Sequence, residues 1–216
     1  MTDGSYVVLC ARQLRDGVVP LLLATLLGLV VAAPWLATIA LGAEALAPLL
    51  CALFGAPAWA GLVRVAALGA RGEAGSAKEA LLGIRDRYLE AAALGAATGG
   101  FAWAFESALG AAGSGGPMAV ATLALATGGL IVVLIVDVYA FPLLVLARTS
   151  LRGAMRAALG LAARGVGATV AMVAAGALAL LAAAWLGPGT LLMSLPTLAV
   201  LHVNNALLQL GRAAAR

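Results

Sequence analysis

Charge is scarce in this chain of 216 residues: Asp, Glu, Lys and Arg make up 10% of it, against about a quarter in an ordinary soluble domain. Aromatics are 5%, and there are one histidine, His202, and two cysteines, Cys10 and Cys51. Each shortage excludes a class of chemistry. One histidine rules out H-E-x-x-H and other multi-histidine metal sites, and two distant cysteines rule out a zinc cluster. There is no G-x-x-x-x-G-K-[ST] run to cradle a phosphate and no G-x-S-x-G elbow. Ser107 and Ser194 have no base beside them, since His202 stands eight residues from Ser194 on one helix, too far to touch it. No arginine ladder or selectivity-filter sequence points to a channel. The expectation is a protein that is not an enzyme and needs no cofactor.

What fills the chain is apolar: 64% of residues, with a mean hydropathy of +1.09. From Met118 to Ala147 thirty residues pass with one charge, Asp137, before Arg148 stops the run. A helix of that length reaches roughly 45 Å, more than the roughly 30 Å of bilayer hydrocarbon. It reads as a membrane span. The net charge of +4 and pI near 9.7 do not indicate nucleic acid, because the basic residues sit in short clusters between apolar runs.

Residues 1–16 alternate Arg12 and Arg15 with Tyr6, Val7, Val8, Leu9 and Leu14, the pattern of an amphipathic segment at the interface. The next run, Val18–Leu41, is too long for the roughly 7–15 apolar residues of a cleaved signal. Ala43-Glu44-Ala45 has small-x-small spacing, but the run is retained as a helix. The expected spans are 18–41, 45–70, 88–109, 118–147, 166–186 and 191–210, in one integral membrane domain covering 1–216. Glu73–Arg87 is a surface helix, with Ala80, Leu81 and Ile84 at helical spacing. Cys10 and Cys51 fall at different membrane levels, which disfavours a disulfide and leaves two free thiols. Gly95-x-x-x-Gly99 offers a smooth packing face, although such matches are common in an Ala-rich chain. The hairpins around the basic loops resemble one another in outline, but their residues do not align as a repeat.

Six spans sort the loops into two sets. The N-terminus, the 71–87 loop, the 148–164 segment and the C-terminal tail hold every Lys and Arg except Arg64, which lies just inside the same end of the second span. The loops near 42–44, 110–117 and 187–190 hold none. Basic short loops stay in the cytoplasm, so both termini are expected inside. Trp35, Trp103, Phe105 and Trp185 fall near the opposite ends, as an interfacial belt would.

Counting from the inner helix ends sets depths. Asp137 lies about 16 Å in, His202 about 15 Å with Asn204 and Asn205 slightly shallower, and Arg64 about 10 Å. Ionisable groups in hydrocarbon seek partners and are functional suspects by default. One reading is a polar site with Asp137 as acid or ion ligand, His202 as its proton-sensitive neighbour, Asn204 and Asn205 as amide contacts and Arg64 balancing charge. The competing readings are structural. Asp137 pairs with Arg64 while His202 and the asparagines bond between helices, or Arg64 snorkels to the inner headgroups. Glu90 pairs with Arg87, and Glu106 is an interfacial carboxylate. Pro57, Pro142 and Pro196 could each break a helix near the polar residues.

Trp35, the stretch from Phe54 to Gly95 (FGAPAWAGLVRVAALGARGEAGSAKEALLGIRDRYLEAAALG) and Tyr139–Ala147 (YAFPLLVLA) together resemble the YesL-like family of bacterial integral membrane proteins. The order Gly55-Ala56-Pro57 departs from the family's G-P-A, while Arg85-Asp86-Arg87-Tyr88 stands where its R-x-x-Y-like helix start falls. The family is largely uncharacterised and is often encoded beside carbohydrate ABC-transporter components. The resemblance therefore implies an accessory role in sugar uptake and supplies no catalytic residues. The expected protein is an all-α polytopic bundle of the bacterial inner membrane that binds permease subunits, with a possible homo-oligomer. Its loops Arg71–Arg87 and Arg148–Arg164 would meet partners or anionic lipids. The alternative is a small secondary transporter built on Asp137 and His202.

Overall fold

A computed structural model describes residues 3–113, 115–147 and 149–214. Arg148 and Arg216, two of the expected inner-side arginines, lie outside the described residues. Every regular element described is helical. A short α1 (Asp3–Asp16) leads into a long α2 (Val18–Ala40). A 3-10 turn (Glu44–Leu46), α3 (Ala47–Leu50), a π-turn (Cys51–Gly55) and α4 (Ala56–Ala70) then form one interrupted rod. Next come a short α5 (Ala77–Asp86) and long α6 (Tyr88–Ala112) and α7 (Pro117–Leu146). The last group is a short α8 (Leu151–Arg164), a long α9 (Val166–Leu186), a 3-10 turn (Pro188–Thr190) and α10 (Leu191–Ala214). Five segments are long and apolar enough to cross a membrane: Val18–Thr38, Ala47–Ala70, Pro117–Leu146, Val166–Leu186 and Leu191–Arg212. The third expected span, α6, has the length, at 25 residues, but Glu90, Glu106 and its glycines leave it outside that set.

This order corrects the view that the chain has no repeat. One unit occurs three times: a short amphipathic helix, a one-residue joint, a long helix, and a second long rod running back. The joints are Gly17, Arg87 and Gly165. At each, the amide four residues on donates to the joint's carbonyl: Leu21 to Gly17 (3.1 Å), Ala91 to Arg87 (2.9 Å) and Thr169 to Gly165 (2.9 Å). The succession of buried, half-buried and exposed positions from Gly17 to Gly28 recurs residue for residue from Arg87 to Thr98. Periodic placement is what repeats here, and in an apolar chain many different residues satisfy it. Each turn between the two long rods carries one glycine at positive φ, Gly42 (68°), Gly115 (72°) and Gly187 (98°), a conformation that side chains resist.

The units join head to tail in a ring. The second rods α4, α7 and α10 touch one another at the centre. Each also packs on the next unit's first two helices: α4 on α5 and α6, α7 on α8 and α9, α10 on α1 and α2. The amphipathic helices therefore share one end of the bundle, where α2, α6 and α9 begin and α4, α7 and α10 finish. The core lies near that end, in Ala56–Ala67, Val136–Leu144 and Leu198–Ala206. α8 corrects the sequence reading too, which left 148–164 without a helix. Its N-cap is Ser150, whose hydroxyl accepts from the Gly153 amide, just as Ser76 caps α5 by accepting from Glu79.

The predicted Gly95-x-x-x-Gly99 face is used. A Cβ on Gly95 would lie 2.5 Å from that of Ala56, and one on Gly99 2.9 Å from the Pro48 Cα, so α6 closes directly on the interrupted rod. Of Pro57, Pro142 and Pro196, the three prolines expected to break a helix, Pro57 alone sits beside a break. It has no N–H to give the Leu53 carbonyl, which accepts instead from the Tyr88 hydroxyl across the interface (3.0 Å). Pro34, Pro142 and Pro196 lie inside continuous helices.

Candidate functional site

The central rods carry the polar residues, and each of the five predicted positions has its own surroundings. Asp137, on α7, turns to α6, where Oδ2 and the Thr98 hydroxyl lie 2.5 Å apart. Its Oδ1 is buried without a hydrogen-bond partner. Cys51, in the π-turn, lies near it. His202, on α10, meets the Trp59 ring edge-on at 5.7 Å, and both its ring nitrogens are buried without a partner.

The asparagines lead elsewhere. Asn204 donates to Gln13 Oε1 (2.6 Å), and Gln13 in turn donates to the Ala66 carbonyl (2.7 Å), so α10, α1 and α4 are tied together. Asn205 donates to the Tyr139 hydroxyl (3.1 Å), which lies 3.0 Å from Thr169 Oγ1. Thr169 donates to the Gly165 carbonyl (3.0 Å). The proton count gives this chain one direction: Thr169 spends its hydrogen on Gly165, so Tyr139 donates to Thr169 and accepts from Asn205. It joins α10, α7 and α9 at the third joint.

Arg64 leaves the interior. Its Nε and Nη2 reach Glu79 (3.0 and 2.9 Å) and its Nη1 reaches Asp86 (3.0 Å), clamping α5 onto α4. Among the described residues no hydrogen bond or ion pair joins Asp137, His202, Asn204, Asn205 and Arg64 to one another. The Asp137–Arg64 pair is thereby corrected, because Arg64 is committed to two other carboxylates. The interhelical role of the asparagines is what the structure contains. Desolvation pushes the Asp86 carboxyl up, but hydrogen bonds from Arg64 and Arg85 and their charges hold it below its ordinary value. Arg87 and Glu90 pair as expected (3.1 Å), Glu106 is exposed, and both cysteines are free thiols.

No protein-family model, curated protein or solved structure matches this chain. Its own chemistry is the guide.

Partners the sequence reading missed are Thr98, Gln13, Tyr139, Tyr6, Thr169 and Glu79. Tyr6 donates to the Leu201 carbonyl (3.0 Å), and burial raises its hydroxyl's pKa, so it stays a donor. A signal was present for Gln13 alone, an uncharged polar residue on the apolar side of an amphipathic helix. Charge divides unevenly at the amphipathic end. Asp16 lies beside Arg12 and Arg15 on α1, and Glu79 and Asp86 balance α5. α8 exposes Arg152, Arg156 and Arg164, and no Asp or Glu follows Asp137 in the sequence.

Proposed function

We propose that this chain is a non-enzymatic accessory or partner-binding protein of the bacterial cytoplasmic membrane, with six spans and both termini cytoplasmic. One observation carries the reading: three amphipathic helices share one end of the bundle, and α8 presents three exposed arginines with no acid to neutralise them. Such a face suits anionic headgroups or an acidic partner surface, each cation near the membrane contributing about 1 kcal/mol. The threefold repeat of two rods supports counting α6 as a sixth span, and the arginine distribution supports placing both ends on the cytoplasmic side. Phe54–Gly95 and Tyr139–Ala147 support a link to carbohydrate uptake through their resemblance to the YesL-like family. Permease subunits are then the partners to look for.

The test is a mild-detergent pull-down from native membranes. Permease subunits should co-purify with the wild type and with Asp137→Asn, and be lost from Arg152→Glu/Arg156→Glu. Retention by the charge-reversed protein would refute the docking role.

A second reading is a small secondary transporter centred on Asp137. It is favoured by the unpartnered Oδ1 beside a π-turn, since π-turns inside helices are frequent at functional sites. Solute uptake into liposomes that vanishes in Asp137→Asn would select it over the accessory role.

A further inference from the structure

Each second rod meets the next unit's amphipathic helix, and the three seams are closed by different means. Where α4 meets α5, Arg64 forks between two carboxylates. Where α7 meets α8, the closure is apolar, with Ala154, Ala158 and Leu161 buried. Where α10 meets α1, the tie is a pair of amides, Asn204 to Gln13 and Gln13 to the Ala66 carbonyl. Beside that tie lies a cavity of about 640 Å³, within the size range of ligand sites. Its walls are α1, the first turn of α2, the last turns of α4 and the turn at 72–75. The turn is drawn close to α4, since a Cβ on Gly75 would meet Val65 Cγ1 at 2.8 Å.

The groups left unsatisfied in this cavity include two acceptors. Asn204, 4% exposed, is one of its lining residues. Its Nδ2 donates twice, to Gln13 Oε1 (2.6 Å) and to the Val200 carbonyl (2.9 Å). Gln13 spends its own amide nitrogen on Ala66, which fixes the direction of the tie. Asn204 Oδ1 therefore accepts nothing from the described residues. Unlike Asp137 Oδ1 and the His202 nitrogens it is not sealed off, and the cavity is where it opens. The second acceptor is Glu73, on the turn. It is exposed, and among the described residues its carboxylate has no ion pair or hydrogen bond. Asp16 also lines the cavity but already lies 3.0 Å from Arg15 and 3.7 Å from Arg12. Two carboxylates against the one guanidinium of Arg12 leave the lining net negative. Leu9, Pro20, Leu21 and Val65 supply apolar wall between the polar groups.

We propose that this cavity binds a primary ammonium group carried on an aliphatic chain. Its N–H groups donate to Asn204 Oδ1, its charge is met by Glu73, and its methylenes lie along Leu9 and Val65. A quaternary ammonium of similar size has the charge but no hydrogen to give, so N–H donation is what the site selects. The carrier is either the ethanolamine headgroup of a lipid at the amphipathic end or a soluble amine. The site stands apart from the accessory and transport readings.

Two arms test it. Native mass spectrometry of protein released from vesicles of equal phosphatidylethanolamine and phosphatidylcholine reads the lipid. Calorimetric titration of protein in phosphatidylcholine nanodiscs, with putrescine or its fully N-methylated analogue, reads the soluble amine. One arm should discriminate between N–H and N-methyl ligands by about tenfold, the scale of a hydrogen bond to a charged group. That arm identifies the carrier. Glu73→Gln, at an exposed and unpaired position, should weaken binding there by about threefold. Asn204→Ala should abolish the discrimination. A photoactivatable aliphatic amine, or an ethanolamine lipid with the same group, should label the wild type on α1 and within 69–75, which keeps the test sound if Asn204→Ala misfolds. No discrimination in either arm would overturn the site, leaving a vestibule that holds water only. So would binding unchanged by Glu73→Gln, or labelling confined to other helices.

Discussion

The rod Ala47–Ala70 and the helix α9 are close in length, 24 and 21 residues, and both qualify as spans. In the most apolar window of each, 56% of the rod is buried inside the protein and 11% of α9. The more apolar of the two, with hydropathy 2.2 against 1.7, is the one left outside. In water that would be upside down. In lipid, large aliphatic side chains gain nothing by leaving the solvent, so the inside goes to residues that pack closely or bond to one another. The rod offers Ala56, Ala60, Gly61 and Ala66. The exposed face of α9 offers Val170, Leu178, Leu181 and Trp185.

Overpacking gives this contrast its hardest test. Ala66→Trp, at a position with no exposure, should cost about 3 kcal/mol, while Ala171→Trp on the open side of α9 should change stability by less than about 0.5 kcal/mol. Denaturant titration of both variants in micelles measures the difference, and equal costs would end the inside–outside assignment. Tyr139→Phe probes the polar thread that, among the described residues, ties α9 inward. It strands the Asn205 amide and should cost about 1 kcal/mol, with Asn205→Ala adding little on top of it. Full additivity in that double-mutant cycle would mean the two groups act independently.

Smaller effects sharpen the comparison at the amphipathic end. α5 is held to α4 by ions, whereas α8 carries no acid. Arg64→Ala should loosen Ala77–Asp86 by about 1 kcal/mol in hydrogen exchange and leave α8 unchanged. Arg64→Lys should recover only part of the loss, because an ammonium cannot fork to two carboxylates. Asp86 gives this clamp a pH dependence. Its carboxyl titrates lower when folded, so its contribution is present above the unfolded value of about 4 and fades as pH falls through the lowered one. Protection of α5 should then decline in acid, and Asp86→Asn should remove that part of the decline. An α5 that gained protection in acid would show the sign to be wrong.

The long helices were legible because apolar runs of twenty or more residues leave few alternatives, and the observed bounds fall within a few residues of those expected. α8 was not, because Gly153 and its arginines mask a helical spacing that packing on α7 supplies. The polar cluster was half legible. Counting residues from a helix end gives height and says nothing of azimuth. Asp137 and His202 do share a level by that count, but rotation sends Asp137 toward Thr98 on α6 and His202 toward Trp59 on α4. Asn204 and Asn205, adjacent in sequence, point to α1 and α7 for the same reason, being about 100° apart around their axis.

The hydrogen bond from Tyr6 to Leu201 spans 195 positions of sequence and fastens the ring's first helix to its last. During synthesis that seam stays open until the final rod enters the bilayer, so early helices wait with one flank bare to lipid. A circle fastened this way has no privileged starting point. A permuted gene that opens between Gly72 and Gly75 and bridges the original ends should encode the same bundle, assembled in a different order.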